Sequence, residues 1–384
     1  MTALVRRPLD LLAALLAPAC AFAAMGICWG GLATLIPLVK ARIGASDGLF
    51  GLLLALGALG LVVGLSLAPR LVARLGPLAL SVATAALGLA ILLPGLATTP
   101  TGFLAAIFVL AIASGLTDVV MNARVSEVEA RLDRPLMNFA HGLYSLFYAV
   151  GAVLGGLARE GGWPPLAILA PAAAAALLLA PLARGGAGEE APAAGPGAAR
   201  LPLGPLLLCG AIVLLAFQTE GAIEQWSALF IERSLGGSAA EGALGPATLG
   251  ITMALGRFGG QAVAARLGPG RLIRGAATLA TLGALSATLA ETPAQAYAGF
   301  ALLGLGISVL GPTAIAEAGR LSPPGARTRA IARTAVVGFA GFFIGPPIMG
   351  LIAEVASLRA AVGALGAFTL LAGALSLLLP RRPS

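Results

Sequence analysis

The stretch AHGLYSLFYAVGAVLGGLARE, residues 140 to 160, is matched 194 positions later by TAVVGFAGFFIGPPIMGLIAE, residues 334 to 354. Each segment is about as long as the ~20 residues an α-helix needs to cross the ~30 Å hydrocarbon core of a bilayer. ARLGP likewise occurs at 73 to 77 and at 265 to 269, an offset of 192 that also relates Gly44 to Gly236 and Gly64 to Gly256. Shared apolar composition can give one such match by chance. Several matches at nearly one offset, each in the equivalent helix of its half, point to a duplicated unit of six helices.

The remaining composition agrees with a chain made of spans. Of 384 residues, 59% are hydrophobic and 10% charged, and the mean hydropathy is +0.97, against roughly 25% charged in an ordinary soluble domain. The reading is an all-α polytopic membrane protein. Cys20, Cys28 and Cys209 lie in apolar segments with no CxxC pair, so they read as small core residues with neither a disulfide framework nor a zinc site. The net charge of +8 comes from basic residues scattered between apolar segments, which is a topology signal and not a nucleic-acid surface. The N-terminus, RRPLDLLAALLAPACAFAA, imitates a secretory signal. Its apolar run continues to Val39, however, so an uncleaved first helix is expected.

Twelve spans are expected, near 12–38, 48–69, 77–97, 103–125, 137–158, 165–183, 203–231, 243–264, 273–290, 294–317, 330–353 and 360–379. The polar stretch at 184–202 reads as a linker between an N-terminal bundle, 1–183, and a C-terminal bundle, 203–384. With a cytoplasmic N-terminus, eighteen basic residues fall on the cytoplasmic side, Arg6, Arg7, Arg200, Arg381 and Arg382 among them. Five, Lys40, Arg42, Arg159, Arg233 and Arg359, fall opposite, and Arg257 lies within a span. That bias sets both termini in the cytoplasm. High Ala, Gly and Arg with a single Lys suits a GC-rich bacterial genome and hence a bacterial inner membrane.

Twelve spans, a central polar linker and an Arg-x-Gly turn after spans 2 and 8 (Arg74 with Gly76, Arg266 with Gly268) resemble the major facilitator superfamily over almost the whole chain. Ala73 and Ala265 stand where that family usually has an Asp before the Arg. DVVMN, with Asp118 four before Asn122, resembles the fucose permease branch of sugar and proton symporters, and the combination of GLTDVVMNARVSEVEAR, MNFAHG and EGAIEQWSALFIERSLG is similar to an uncharacterised bacterial inner-membrane branch beside it. The resemblance implies a small-molecule substrate bound between the halves, protons as coupling ion with Asp118 in that role, Asn122 at the substrate, no cofactor, and a monomer. It also implies gating or latch roles for the Arg-x-Gly turns. Fucose permeases carry a second acidic residue inside helix 1; here only Asp10, at its cytoplasmic start, is near.

A charged side chain costs ~2.5–3.5 kcal/mol at a helix centre, so each one inside a span is a functional candidate. Asp118 and Asn122 share one face of the fourth span. Asn138, His141, Ser145 and Tyr148 follow spacings of three, four and three on the fifth, so Asp118 and His141 could meet across the pair. A buried Asp beside a His can gain and lose a proton as a cavity opens to alternate sides; the competing reading is a structural hydrogen bond. Glu127 and Glu129, mixed with Arg124 and Arg131, read as a solvated or latch-forming face.

In the seventh span Glu220 and Glu224 are four apart, with Gln225 and Trp226 beside them. Glu220, roughly 25 Å along that helix at ~1.5 Å per residue, is expected to line an outward cavity for a polar or cationic solute, with Trp226 as a stacking face. A wet helix end at the outer interface is the alternative. Arg257 is expected near the cytoplasmic end of the eighth span, pairing with an acid across the bundle as a gate or snorkelling to the interface. Pro346 and Pro347, between Gly345 and Gly350, suit a helix that bends or rocks, or a packing kink.

Secondary transport by alternating access, proton-coupled, with symport of a sugar-like or other polar solute, is the leading function. Proton-driven export of hydrophobic or cationic compounds is the alternative. The chain has no GxxxxGK[ST] loop for ATP coupling, and one His with no HExxH or GxSxG argues against an embedded enzyme or sensor.

Overall fold

The computed structural model describes all residues except 1–7, 133, 135, 186–200, 324–325 and 381–384. Arg6, Arg7, Arg200, Arg381, Arg382 and most of the linker therefore lie outside the described residues, as does the side chain of Asp10. The described residues form α-helices and short 3-10 turns, with no strand: α1 (Pro8–Arg42), α2 (Asp47–Leu75), α3 (Ala79–Ala90), α4 (Leu93–Leu96), α5 (Pro100–Leu132), α6 (Met137–Glu160), α7 (Pro165–Leu179), α8 (Leu203–Leu235), α9 (Ala239–Leu267), α10 (Pro269–Thr288), α11 (Pro293–Arg320), α12 (Arg327–Val355) and α13 (Leu358–Leu375). Within them, nine stretches are long and apolar enough to cross a membrane; α2 to α4 count as one, and α9 and α10 are not among the nine.

The helices start and stop where local chemistry dictates. Ser46 caps α2 by accepting from the Leu49 amide, Ser357 caps α13, and Thr292 with Gln295 forms a capping box on α11. Gly44 and Gly236, both at positive φ (65° and 69°), end α1 and α8, a conformation that costs a residue with a Cβ. Outside the bundle, α2 presents Leu52, Leu56, Leu59, Val63 and Leu67, the apolar stripe a lipid-facing helix needs.

Close packing follows the glycines. α1 lies along α6, α2 along α5 and α3 along α7; α8 lies along α12, α9 along α11 and α10 along α13. A Cβ at Gly30 would strike the Tyr148 carbonyl, and one at Gly64 the Ile112 carbonyl, so these backbones touch as small residues allow. Besides smaller contacts from α1 to α8 and α9, two further extensive ones, α6 with α9 and α2 with α12, join the first set of helices to the second. Pro346 and Pro347 sit at the second of these, where a Cβ on Gly51 would meet the Pro346 carbonyl. α12 is assigned as one helix through both prolines.

The helices overrun the expected spans. α5 continues to Leu132 through NARVSEVEARL, and α8 covers 33 residues, because the helical hydrogen-bond ladder need not stop where the hydrocarbon does. The expected third span is interrupted by a turn at Ile91–Leu92, before the short α4 with Pro94 in its first turn.

Candidate functional site

Polar side chains converge where α5, α6, α8 and α9 face one another. On α5, Asn122 Nδ2 donates to the Asp118 carbonyl oxygen (2.8 Å) and to Asp118 Oδ1 (3.0 Å). Its Oδ1 then meets His141 Nε2 of α6 at 3.2 Å. The expected direct meeting of Asp118 with His141 is thus corrected. Asn122, one turn further along α5, stands between them and holds the His ring, whose other face packs edge-on against Phe22 at 5.1 Å.

The chain of contacts continues along α6 and across to the second set of helices. Ser145 Oγ donates to the His141 carbonyl (3.1 Å) and itself accepts from Arg257 Nη1 of α9. Arg257 Nη2 closes an ion pair with Glu220 Oε1 of α8 at 2.9 Å, with both residues buried. The expectation that separated these two, Glu220 in the outer half and Arg257 near the cytoplasmic end, is therefore corrected. Glu220 is 17 positions into the 33-residue α8 and Arg257 18 positions into the 29-residue α9, so each lies near the middle of its helix, where the two meet.

Glu224, one turn beyond Glu220, is half-buried, and its carboxylate makes no hydrogen bond or ion pair among the described residues. Tyr148 donates its hydroxyl to the Glu224 carbonyl oxygen (3.1 Å), so α6 is stitched to α8. Tyr144, 6.0 Å from the Tyr148 ring, lies within electrostatic reach of Asp118, Glu220, Glu224 and Arg257. Asp118, Asn122, Asn138, His141 and Tyr144 are all half-buried, so this polar cluster is not wholly closed off. Its ionisable complement is three carboxylates against one guanidinium and one imidazole.

Other expectations fare differently. Trp226 is fully buried, 6.1 Å from the Phe50 ring in an edge-on contact, so it lines no open cavity; although two residues from Glu224, it packs against α2. Arg74 and Arg266 are exposed and form no ion pair among the described residues. Gly76 and Gly268 have φ of 49° and 71°, so the turns need glycine for their backbone. Arg124 pairs with Glu127 within α5 (2.8 Å), and Glu129 Oε1 accepts from the Leu136 and Met137 amides (2.5 and 2.8 Å), capping α6.

A charge network missing from the sequence reading closes the end of the bundle where α1 turns into α2. Asp47 holds Lys40 (2.8 Å) and Arg233 (2.6 Å). Arg159 grips Glu232 with two nitrogens (2.7 and 3.0 Å) and also donates to the Thr34 carbonyl. Adjacent opposite charges such as Glu232–Arg233 and Arg159–Glu160 were the available signal.

The comparisons with known proteins agree with this architecture. The family model described as Major Facilitator Superfamily matches residues 18–297 and 228–384. An uncharacterised MFS-type transporter of Yersinia pestis is 33% identical over 350 residues, 89% of this chain and 90% of its own. An uncharacterised transporter of Sinorhizobium fredii is 30% identical over 381 residues, 93% of this chain and 96% of its own. Among solved structures, a bacterial homologue of the human lysosomal transporter Spinster, inward-facing and occupied, superposes with a TM-score of 0.71 at 17% identity, covering 95% of this chain and 96% of that one.

Proposed function

Because this chain belongs to the major facilitator superfamily, a family of transporters and not of enzymes, we propose that it carries a small polar solute across the bacterial inner membrane by alternating access, coupled to protons. In this reading twelve spans form two six-helix halves, 1–183 and 203–384, joined by a cytoplasmic linker at 184–202, with both termini cytoplasmic and the monomer as the working unit. The repeated helix pairing supports the two halves: α1–α6, α2–α5 and α3–α7 have counterparts in α8–α12, α9–α11 and α10–α13.

The observation that carries the proposal is the polar chain from Asp118 through Asn122, His141, Ser145 and Arg257 to Glu220. It starts in one half and ends in the other, so rocking the halves must break or remake its Ser145–Arg257 link. Asp118 and His141 exchange the proton; Asn122, Asn138, Ser145 and Glu224 meet the solute. Arg257, braced by Glu220 of its own half, ties the halves at mid-depth through Ser145. The buried Trp226 supports the wall behind.

Export of a cationic compound is the second reading, favoured by Glu224, whose carboxylate forms no hydrogen bond or ion pair among the described residues and lies beside Tyr144 and Tyr148. One experiment serves both. Proteoliposomes are screened for solute-driven proton flux with sugars, amino acids and organic cations, wild type beside Asp118→Asn. Solute-dependent proton movement that disappears in Asp118→Asn is the expected result, and the active solute class separates the two readings. Coupling that survives intact in Asp118→Asn removes Asp118 from the proton path.

A further inference from the structure

At the α1–α2 end of the bundle two glutamates make the same contact. Glu160, the last residue of α6, accepts a hydrogen bond at Oε2 from the Ala240 amide at the start of α9, 3.0 Å away. Glu354, near the end of α12, accepts at Oε2 from the Gly48 amide at the start of α2, also at 3.0 Å. The glutamates are 194 residues apart and the amides 192, the same offsets at which the sequence repeats. Each helix start carries a serine, Ser46 or Ser238, whose hydroxyl accepts from the amide three residues on (3.3 Å in both) and lies within reach of the glutamate. A helix start leaves amides without intrahelical partners and bears the positive end of the helix dipole, so a carboxylate is favoured there. In both contacts the glutamate comes from one set of helices and the amide from the other.

We propose that Glu160 and Glu354 are a matched pair of clasps that together hold the α1–α2 end shut, and that this end opens only when both release. Their placement gives the reason. They sit on the two most extensive contacts between the helix sets, α6 with α9 and α2 with α12, so neither set can swing away at this end while either clasp is closed. Two ion pairs between the sets, Asp47–Arg233 and Arg159–Glu232, lie between the clasps and close with them. Both glutamates are exposed at the rim, where water competes for every contact and single interactions are weak. That weakness suits a gate which must open in each cycle, because a ligand shifts an equilibrium only by its differential affinity for the two states. The inference rests on the two-half reading but not on any solute or coupling ion.

The test needs no substrate. Hydrogen–deuterium exchange with mass spectrometry is run on the purified full-length protein in lipid nanodiscs, as wild type, Glu160→Ala, Glu354→Ala and the double variant. Glu160→Ala is expected to speed exchange severalfold at residues 238–244, which it caps, and also at residues 46–52 under the opposite clasp and in the buried α8 segment around Trp226. Glu354→Ala is expected to do the converse, and the double variant to exceed the sum. If each substitution speeds only the helix start it touches, the glutamates are local caps and the proposal falls. Should the double variant not fold, Gly48→Cys with Glu354→Cys replaces it. A Cβ on Gly48 would lie 3.8 Å from the Glu354 Cβ, the spacing of a disulfide. Oxidation is then expected to slow exchange at the distant 238–244 segment relative to the reduced form, whereas equal exchange overturns the proposal.

Discussion

Arg257 is the residue on which the polar cluster turns. Its guanidinium is buried with Glu220 and also donates to Ser145, so removing it alone strands a carboxylate in a low-dielectric site. Arg257→Ala is expected to destabilise the protein by about 3–5 kcal/mol, read as an earlier thermal transition in detergent. Arg257→Met with Glu220→Leu is expected to recover most of that loss, since an apolar pair of similar volume avoids the desolvation cost. A double variant no more stable than Arg257→Ala would mean that the pair does not act as a unit. Asn122→Leu tests the other end of the chain. It removes both the donor to Asp118 and the acceptor for His141 at little cost in volume. It should abolish proton-driven flux in proteoliposomes and, because Asn122 also meets the solute, slow solute exchange at equal pH; exchange at the wild-type rate would leave Asn122 only its bridge between Asp118 and His141. The polar faces of this site were legible along the chain, because spacings of three and four fix what one helix presents: Asp118 with Asn122, and His141 with Ser145 and Tyr148. Which faces meet was not legible. The Asn122 bridge and the Arg257–Glu220 pair depend on how α5 docks on α6 and α8 on α9, and a depth counted from a helix start does not fix which side chains meet.

At the scale of elements, backbone contact decides which glycines tolerate change. A Cβ on Gly151 of α6 would lie 2.9 Å from the Ile27 Cα and 3.0 Å from the Gly31 nitrogen of α1, and backbone cannot yield as a side-chain tip can. Gly151→Leu should therefore force α1 off α6, and size-exclusion profiles of the expressed protein should lose the monodisperse peak. Gly275, inside α10, has nothing within 4 Å of such a Cβ, so Gly275→Ala should keep the peak and raise stability by roughly 0.5–1 kcal/mol through helix propensity alone. Equal behaviour of the two would show that α1 and α6 are not held at backbone contact. Helix positions themselves were readable from hydropathy to within a few turns, since a bilayer-length apolar run leaves few choices. The break at Ile91–Leu92 was not, because apolar residues continue on both sides and only the proline at Pro94 marks the turn.

For the whole molecule, the arrangement of contacts implies that the chain connection is dispensable. The helices before residue 185 pack mainly on one another, as do those after 200, and the two sets meet mainly along α6–α9 and α2–α12, with α1 also touching α8 and α9. Those seams carry their own attachments: Arg159 to Glu232, Asp47 to Arg233, the Tyr148 hydroxyl to the Glu224 carbonyl, and Arg257 to Ser145. None of them involves residues 186–200. A linker made mostly of Gly, Ala, Pro and Glu supplies mainly proximity, raising the effective concentration of one half for the other. Residues 1–185 and 201–384, expressed as separate chains in one membrane and purified through a tag on the first, should therefore co-purify in equal amounts. Arg159→Ala combined with Arg233→Ala should weaken that association while leaving each half inserted. Because both pairs lie at the α1–α2 end, loss of association there would mean that closure of this end, and not the mid-depth contact through Arg257, holds the halves together. Separate halves that never co-purify would show instead that the linker does more than tether, and would remove the support for treating 1–183 and 203–384 as units that rock against each other.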